Sequence, residues 1–147
     1  MQNSNIEQSY KTLVTIWAAL LFSQIMLLVV VFFAKPEVFK FDFTKPFLGE
    51  NAVIIIAFAF VALANLALSF IMKKRSFEQA VEKQQMAFVQ TGLILAYAFC
   101  EATSLLGIVL AFAFSYQYFF VWFALGILGI ILHFPRRDDV VAASYKK

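Results

Sequence analysis

The sequence predicts an all-α, polytopic membrane protein with four transmembrane helices and both termini cytoplasmic. Three observations lead there. The chain is 63% hydrophobic and only 14% charged, with 19 Phe, far more apolar than a soluble domain. A hydrocarbon core of ~30 Å takes about 20 largely apolar residues per helix, and four stretches meet or approach that: residues 12–34, 52–72, 87–113 and 118–133, the last a little short. Finally, nine of the twelve Lys and Arg fall on one predicted side: Lys11, Lys73, Lys74, Arg75, Lys83, Arg136, Arg137, Lys146 and Lys147. Basic residues near span ends mark the cytoplasmic face. The spans take up most of residues 1–147, so the expectation is one four-helix transmembrane domain and no separate soluble one. Strands fit poorly, because runs such as residues 28–33 and 54–60 are apolar on every face rather than alternating.

The first span follows a polar segment that carries Glu7 and no basic residue before Lys11. It lacks the charged start and small-residue cleavage site of a signal peptide, so it reads as a retained helix. Residues 35–51 balance Lys35, Lys40 and Lys45 against Glu37, Asp42 and Glu50, and Pro36, Pro46 and Gly49 break helix there. The connection after the second span should stay helical, with Lys74 and Arg75 in reach of Glu78 at i+4 and i+3. The second and third spans then form a hairpin. A tight turn at residues 115–117 leads into the fourth span, with Tyr116, Tyr118, Phe119 and Trp122 placed as an aromatic belt. Gly126 and Gly129 suit a packing helix, and His133 at its end is expected to be an interfacial residue.

Composition also excludes function classes. One cysteine, Cys100, permits no intrachain disulfide and no thiolate metal cluster, and it reads as a small buried hydrophobe. The formal charge of +3 sits at span ends, where membrane orientation explains it, so no nucleic-acid partner is expected. Nothing has the parts of a nucleophilic triad, a phosphate loop or a haem site with two histidines. The expectation is a non-enzymatic protein with no catalytic residues, metal or cofactor.

The residue that demands a reason is Glu101. A charged carboxyl near the middle of a membrane helix costs roughly 2.5–3.5 kcal/mol on insertion scales, so it is kept neutral, paired or wet. Gln24 near the centre of the first span and Asn65 within the second are amides that can donate to and accept from it. Asn65 is placed a turn or so nearer the cytoplasm. Tyr97 at i−4 and Ser104 at i+3 lie on its face of the third span. Together, Glu101, Asn65, Gln24, Tyr97 and Ser104 form the expected proton- or ion-binding set. Beside that face run Gly92, Ala96, Cys100, Thr103, Gly107 and Ala111, small residues that let helices approach closely. The second span answers with Ala57, Ala59, Ala62, Ala64 and Ala67, so these two spans should pack together.

The run Gly92-Leu-Ile-Leu-Ala-Tyr-Ala-Phe-Cys-Glu101-Ala-Thr-Ser-Leu-Leu-Gly107-Ile-Val-Leu-Ala-Phe resembles the proteolipid subunit c family of rotary ATP synthases. In that family a hairpin with a cytoplasmic loop carries a carboxylate in its second helix. The resemblance covers about a quarter of the chain and implies that Glu101 exchanges protons and that Asn65 faces it from the partner helix. The family's glycine-rich first helix is represented only by alanines, its Arg-Gln-Pro loop by Lys83-Gln84-Gln85, and two further spans flank the hairpin. Ala102 brings no hydroxyl beside the carboxyl, which disfavours a sodium-type site. The expected function is a protonatable component of an oligomeric or larger ion-translocating complex. The rival is a structural accessory subunit of a respiratory, photosynthetic or transport complex, with Glu101 paired to a partner. The expected partners are the lipid bilayer and a homo-oligomer or larger membrane complex, and the expected location is a bacterial inner membrane.

Overall fold

Most of the chain is helical in the computed structural model, which describes residues 2–144, with side chains from Asn5 onward. Tyr145, Lys146 and Lys147 lie outside the described residues, and with them two of the nine basic residues counted above. The order is α1 (Gln2–Ala34), a 3-10 turn (Pro36–Phe39), α2 (Ala52–Lys83), α3 (Met86–Phe114), a second 3-10 turn (Gln117–Phe119), α4 (Phe120–Leu132) and a short α5 (Arg137–Ala142). No strand occurs among the described residues. Three helices, α1, α2 and α3, are long and apolar enough to cross a membrane. The apolar helix Gln117–Leu132 is shorter, about 24 Å at the usual rise per residue.

The outward faces are apolar to a degree that water would not tolerate. Phe33 is 78% exposed, Phe60 74% and Val53 82%, as suits a lipid-facing surface. The buried core forms two clusters along the bundle. One joins Ile6, Leu13, Ala80, Val89, Tyr97, Cys100, Ile130 and Val140. The other joins Val31, Val38, Ile55, Ala62, Leu110, Phe119, Trp122 and Phe123.

α1 begins well before the predicted span because its polar first turns have something to pack on. Ile6 and Leu13 are buried with Ala80 near the end of α2 and Val140 of α5, and Arg137 pairs with Glu7 at 3.6 Å. Both ends of the described chain therefore lie at the same end of the bundle as the α2–α3 turn. α2 continues helically to Lys83, as its sequence predicts, with Lys74 and Glu78 4.0 Å apart and both well exposed. It stops where Gln84 turns left-handed at φ 50° and the Gln85 amide donates to the Ala80 carbonyl, a helix-ending arrangement that glycine more often supplies.

α3 is the central helix. All six of its predicted small residues, Gly92, Ala96, Cys100, Thr103, Gly107 and Ala111, are buried. They serve two neighbours. A Cβ on Gly92 would stand 2.6 Å from Ser76 of α2, and one on Gly107 would stand 2.8 Å from the Phe119 carbonyl just before α4. The glycines of α4 complete the fit: a Cβ on Gly126 would lie 2.7 Å from the Cys100 carbonyl, and one on Gly129 2.6 Å from its Sγ. The α2–α3 contact is the most extensive in the bundle, followed by α3–α4, and α1 packs more loosely on both α3 and α4. Of the five α2 alanines expected to answer the α3 stripe, Ala57, Ala59, Ala62, Ala64 and Ala67, only Ala62 is fully buried, and Ala57 and Ala67 are exposed. Their spacing at ~100° per residue spreads them over more than one face.

Two placements differ from expectation. Phe119 and Trp122 are not belt residues but core, at 0% and 2% exposure, because the chain folds them inward at the turn into α4. His133 is not interfacial either. It is fully buried, with Nδ1 2.6 Å from the Gly129 carbonyl and its ring 4.4 Å from that of Phe70. Phe70 of α2 and Tyr97 of α3, whose hydroxyl donates to the His133 carbonyl, close around it.

Candidate functional site: an intramembrane carboxyl at the seam of α1 and α3

α1 and α3 run in the same direction, with α2 returning between them in sequence. At mid-length Ser23 of α1 meets Glu101 of α3: Ser23 Oγ lies 2.9 Å from Glu101 Oε1 and 2.8 Å from the Leu20 carbonyl. Glu101 is only partly buried, and Oε2 has no hydrogen bond among the described residues. A hydroxyl carries one proton, so Ser23 cannot donate to both oxygens at once. When the carboxyl is protonated, Glu101 donates to Ser23 Oγ and Ser23 donates to the Leu20 carbonyl, and every group is served. When it is ionised, Ser23 turns to the carboxylate and the Leu20 carbonyl loses its second donor. The three groups are thus a hydrogen-bond relay, Glu101–Ser23–Leu20, that accommodates the carboxyl with or without its proton.

The other expected members of the set do not converge on Glu101. Tyr97 is fully buried and its hydroxyl donates to the His133 carbonyl at 3.1 Å, toward α4. Ser104 is fully buried against Gly126, and its Oγ has no hydrogen-bond partner. The face that sequence spacing assigns to all three residues is about a third of a helix circumference wide. Here α4 takes one edge of it and α1 the other. Asn65 is partly buried and makes no hydrogen bond among the described residues. Counting antiparallel residues from the Gly92–Ser76 contact sets Asn65 level with Thr103. That is about 3 Å to the far side of Glu101, whereas the sequence placed it nearer the cytoplasm.

Gln24 lies at the expected depth, next to Ser23, but turned into the bundle. It is fully buried, and neither Nε2 nor Oε1 has a partner. Leu20 and Leu21 pack on one core cluster and Leu27 and Leu28 on the other, so Gln24 marks the boundary between them. The small residues Gly92, Ala96, Cys100, Thr103 and Gly107 act in packing, as described above. Cys100 is buried as a free thiol.

A second constructed feature lies at the opposite end from the termini, and sequence reasoning missed it. Residues 35–51 fold over the α3–α4 turn and are tied there. The buried side chain of Gln117 donates from Nε2 to the Asp42 carbonyl at 2.7 Å and accepts from the Asp42 amide at 3.0 Å. Tyr116 and Tyr118 donate to the carbonyls of Phe47 and Lys45 at 2.9 and 2.8 Å. Lys35 Nζ reaches the Phe112 carbonyl at 3.0 Å and Ser115 Oγ at 3.1 Å, a cation at the negative end of α3. The Thr44 hydroxyl, then its amide, hold the Asp42 carboxyl below its ordinary range. Burial, then neighbouring Tyr118, pushes the Tyr116 phenol up to about 12, and it stays a donor. The result is a cleft of about 580 Å3 of mixed lining, bordered on one side by Lys40, Lys45, Glu50 and Asn51. Tyrosines in an apolar turn are a fair signal for an aromatic belt; that their hydroxyls would clamp a loop has no signature in one sequence.

Gln117→Ala should release this loop. It removes two hydrogen bonds to the backbone of the exposed Asp42, each worth about 0.5–1.5 kcal/mol net. Trypsin should then cut after Lys40, which precedes Phe41, severalfold faster than in the parent, while cleavage at residues 73–75 is unchanged. An equal rate at the loop would show that the tyrosines alone hold it.

No protein-family model, curated protein or solved structure matches the chain.

Proposed function

We propose that this is a non-enzymatic membrane component whose Glu101 takes up and releases a proton within the bilayer, as part of a homo-oligomer or a larger ion-translocating complex. The Ser23–Glu101 relay carries the reading. It leaves the carboxyl a hydrogen bond to Ser23 with or without its proton, at a seam where Glu101 is only partly buried. In this reading the chain crosses the membrane four times, α4 being the short crossing, with both termini and the α2–α3 turn on the cytoplasmic face of a bacterial inner membrane. The Glu7–Arg137 pair and the concentration of Lys and Arg at that end support this orientation. A likeness to the proton-carrying hairpin of subunit c supports Glu101 as the exchanging group, but Asn65 takes no part in holding it.

The alternative is an accessory subunit in which Glu101 bonds a group on a partner chain. One observation favours it: with Tyr97 bonded to the His133 carbonyl and Ser104 packed against Gly126, Oε2 is left for a group from outside the bundle. Carbodiimide labelling in native membranes across pH separates the two. The carrier reading expects labelling of Glu101 that rises as pH falls and vanishes in Glu101→Gln, with Ser23→Ala altering the pH profile. Absence of labelling at every pH, with the chain co-purifying in a stoichiometric larger assembly, would replace it with the accessory reading.

A further inference from the structure

A groove of about 890 Å3 lies at the α2–α3 turn end of the bundle, between one face of α2 and the segment from the end of α4 into α5. Its charged groups follow a fixed order along α2, with the apolar Phe77 and Val81 between them. Phe70 and Leu132 form the part within the apolar spans. Lys73 and Arg136 come next, at the level where the apolar run of α2 ends, and Glu78 and Glu82 follow farther out on the same face of α2. At the rise of an α-helix, Glu78 and Glu82 lie about 7.5 and 13.5 Å beyond Lys73, a gap shortened when the lysine stem extends outward and the glutamates bend back.

That order is the order of a phospholipid in a leaflet: acyl chain, phosphate, then the terminal group of the head. The charges identify the terminal group. Lys73 and Arg136 make no ion pair or hydrogen bond among the described residues, so two donors are available for a phosphate. Asp139 shares the groove and is coupled to both cations, and burial raises its carboxyl above the ordinary range. With Lys74 and Asp139 included, the lining carries three cations and three carboxyls. A purely anionic head would therefore meet Glu78 and Glu82 unfavourably. A choline head prefers an aromatic face, but the nearest one, Phe77, already has the Lys73 ammonium 5.3 Å from its centre. A primary ammonium, with three donors, suits two carboxylates, Glu82 and Glu78, the latter held only by a well-exposed 4.0 Å contact to Lys74.

We propose that this groove binds phosphatidylethanolamine, its phosphate held by Lys73 and Arg136 and its ammonium by Glu78 and Glu82. The assignment does not depend on Glu101. It is tested by native mass spectrometry of the full-length protein in detergent, offered phosphatidylethanolamine, phosphatidylcholine and phosphatidylglycerol with the same acyl chains. The parent should retain one phosphatidylethanolamine in preference to the other two. Lys73→Gln with Arg136→Gln should reduce that retention by about fivefold per cation removed. Glu78→Gln with Glu82→Gln, both on exposed helix surface, should reverse the preference toward phosphatidylglycerol, with helicity by circular dichroism as the folding control. Equal retention of the ethanolamine and choline lipids, a parent preference for phosphatidylglycerol, or unchanged retention in the folded cation variant would each overturn the proposal. Displacement of the lipid by free phosphoethanolamine would overturn its lipid part.

Discussion

Gly126→Ala is expected to break the α3–α4 interface. The added Cβ would meet Ser104 Oγ and stand 2.7 Å from the Cys100 carbonyl. A side chain can rotate away, but the carbonyl belongs to the backbone of α3 and can move only with the helix. α3 is also gripped by α2 at Gly92 and by Phe119 at Gly107, so moving it disturbs three contacts together. Overpacking of this kind costs typically about 1–3 kcal/mol, and a site closed by backbone belongs at the upper end. Thermal unfolding in detergent should show a clear loss of stability, and Ser104→Ala added to Gly126→Ala should recover only part of it. Full recovery would show that the hydroxyl, not the carbonyl, was the obstacle. Ser104→Ala alone should be neutral to mildly stabilising, because the buried Ser104 Oγ has no hydrogen bond to lose and is itself unsatisfied.

Gln24→Met is expected to have the opposite sign. Gln24 is fully buried with both polar ends of its amide unpaired, and a buried donor or acceptor without a partner costs about 1–3 kcal/mol. Methionine has nearly the same length and volume and carries no such debt. The substitution should therefore stabilise the isolated protein, measured by the same unfolding experiment, by an amount of that order. Stability that falls instead would mean that the amide has a partner in solution, such as a bound water or a second chain. A group this costly at the depth of Glu101 invites a functional comparison as well. If Gln24→Met stabilises the fold and also changes the pH profile of Glu101 labelling, the amide acts on the site through the α1–α3 seam. If it stabilises and leaves the profile alone, Gln24 lies outside the relay.

The helices were legible because lipid imposes a simple rule. An apolar run long enough to cross a hydrocarbon core must satisfy its own backbone, and only a helix does so. That rule settled α1, α2 and α3, including the helical continuation of α2, since Lys74 through Lys83 has no proline or glycine to end it. The small-residue stripe of α3 was legible too, because close approach of backbones leaves few residue types available. One helix gives no indication of which neighbour occupies which side of that stripe. α2 takes Gly92, and α4 takes Gly107 and, through its own Gly126 and Gly129, Cys100 and Ser104.

The site divides along the same line. Sequence determined that a carboxyl would sit at mid-depth and that an amide of α1 would share its level, because depth is residue count multiplied by a constant rise. The partner was decided by tertiary structure. Helix rotation turned Gln24 inward and left its neighbour Ser23 facing Glu101, while α4 drew Tyr97 and Ser104 away. Rotation about the helix axis depends on packing against every neighbour at once, and a shift of one residue turns a side chain by ~100°. The folding of residues 35–51 over the turn and the groove beside Lys73 are of the same kind. Both join segments far apart in the chain through backbone carbonyls and spatial order, which residue types along a single sequence do not encode.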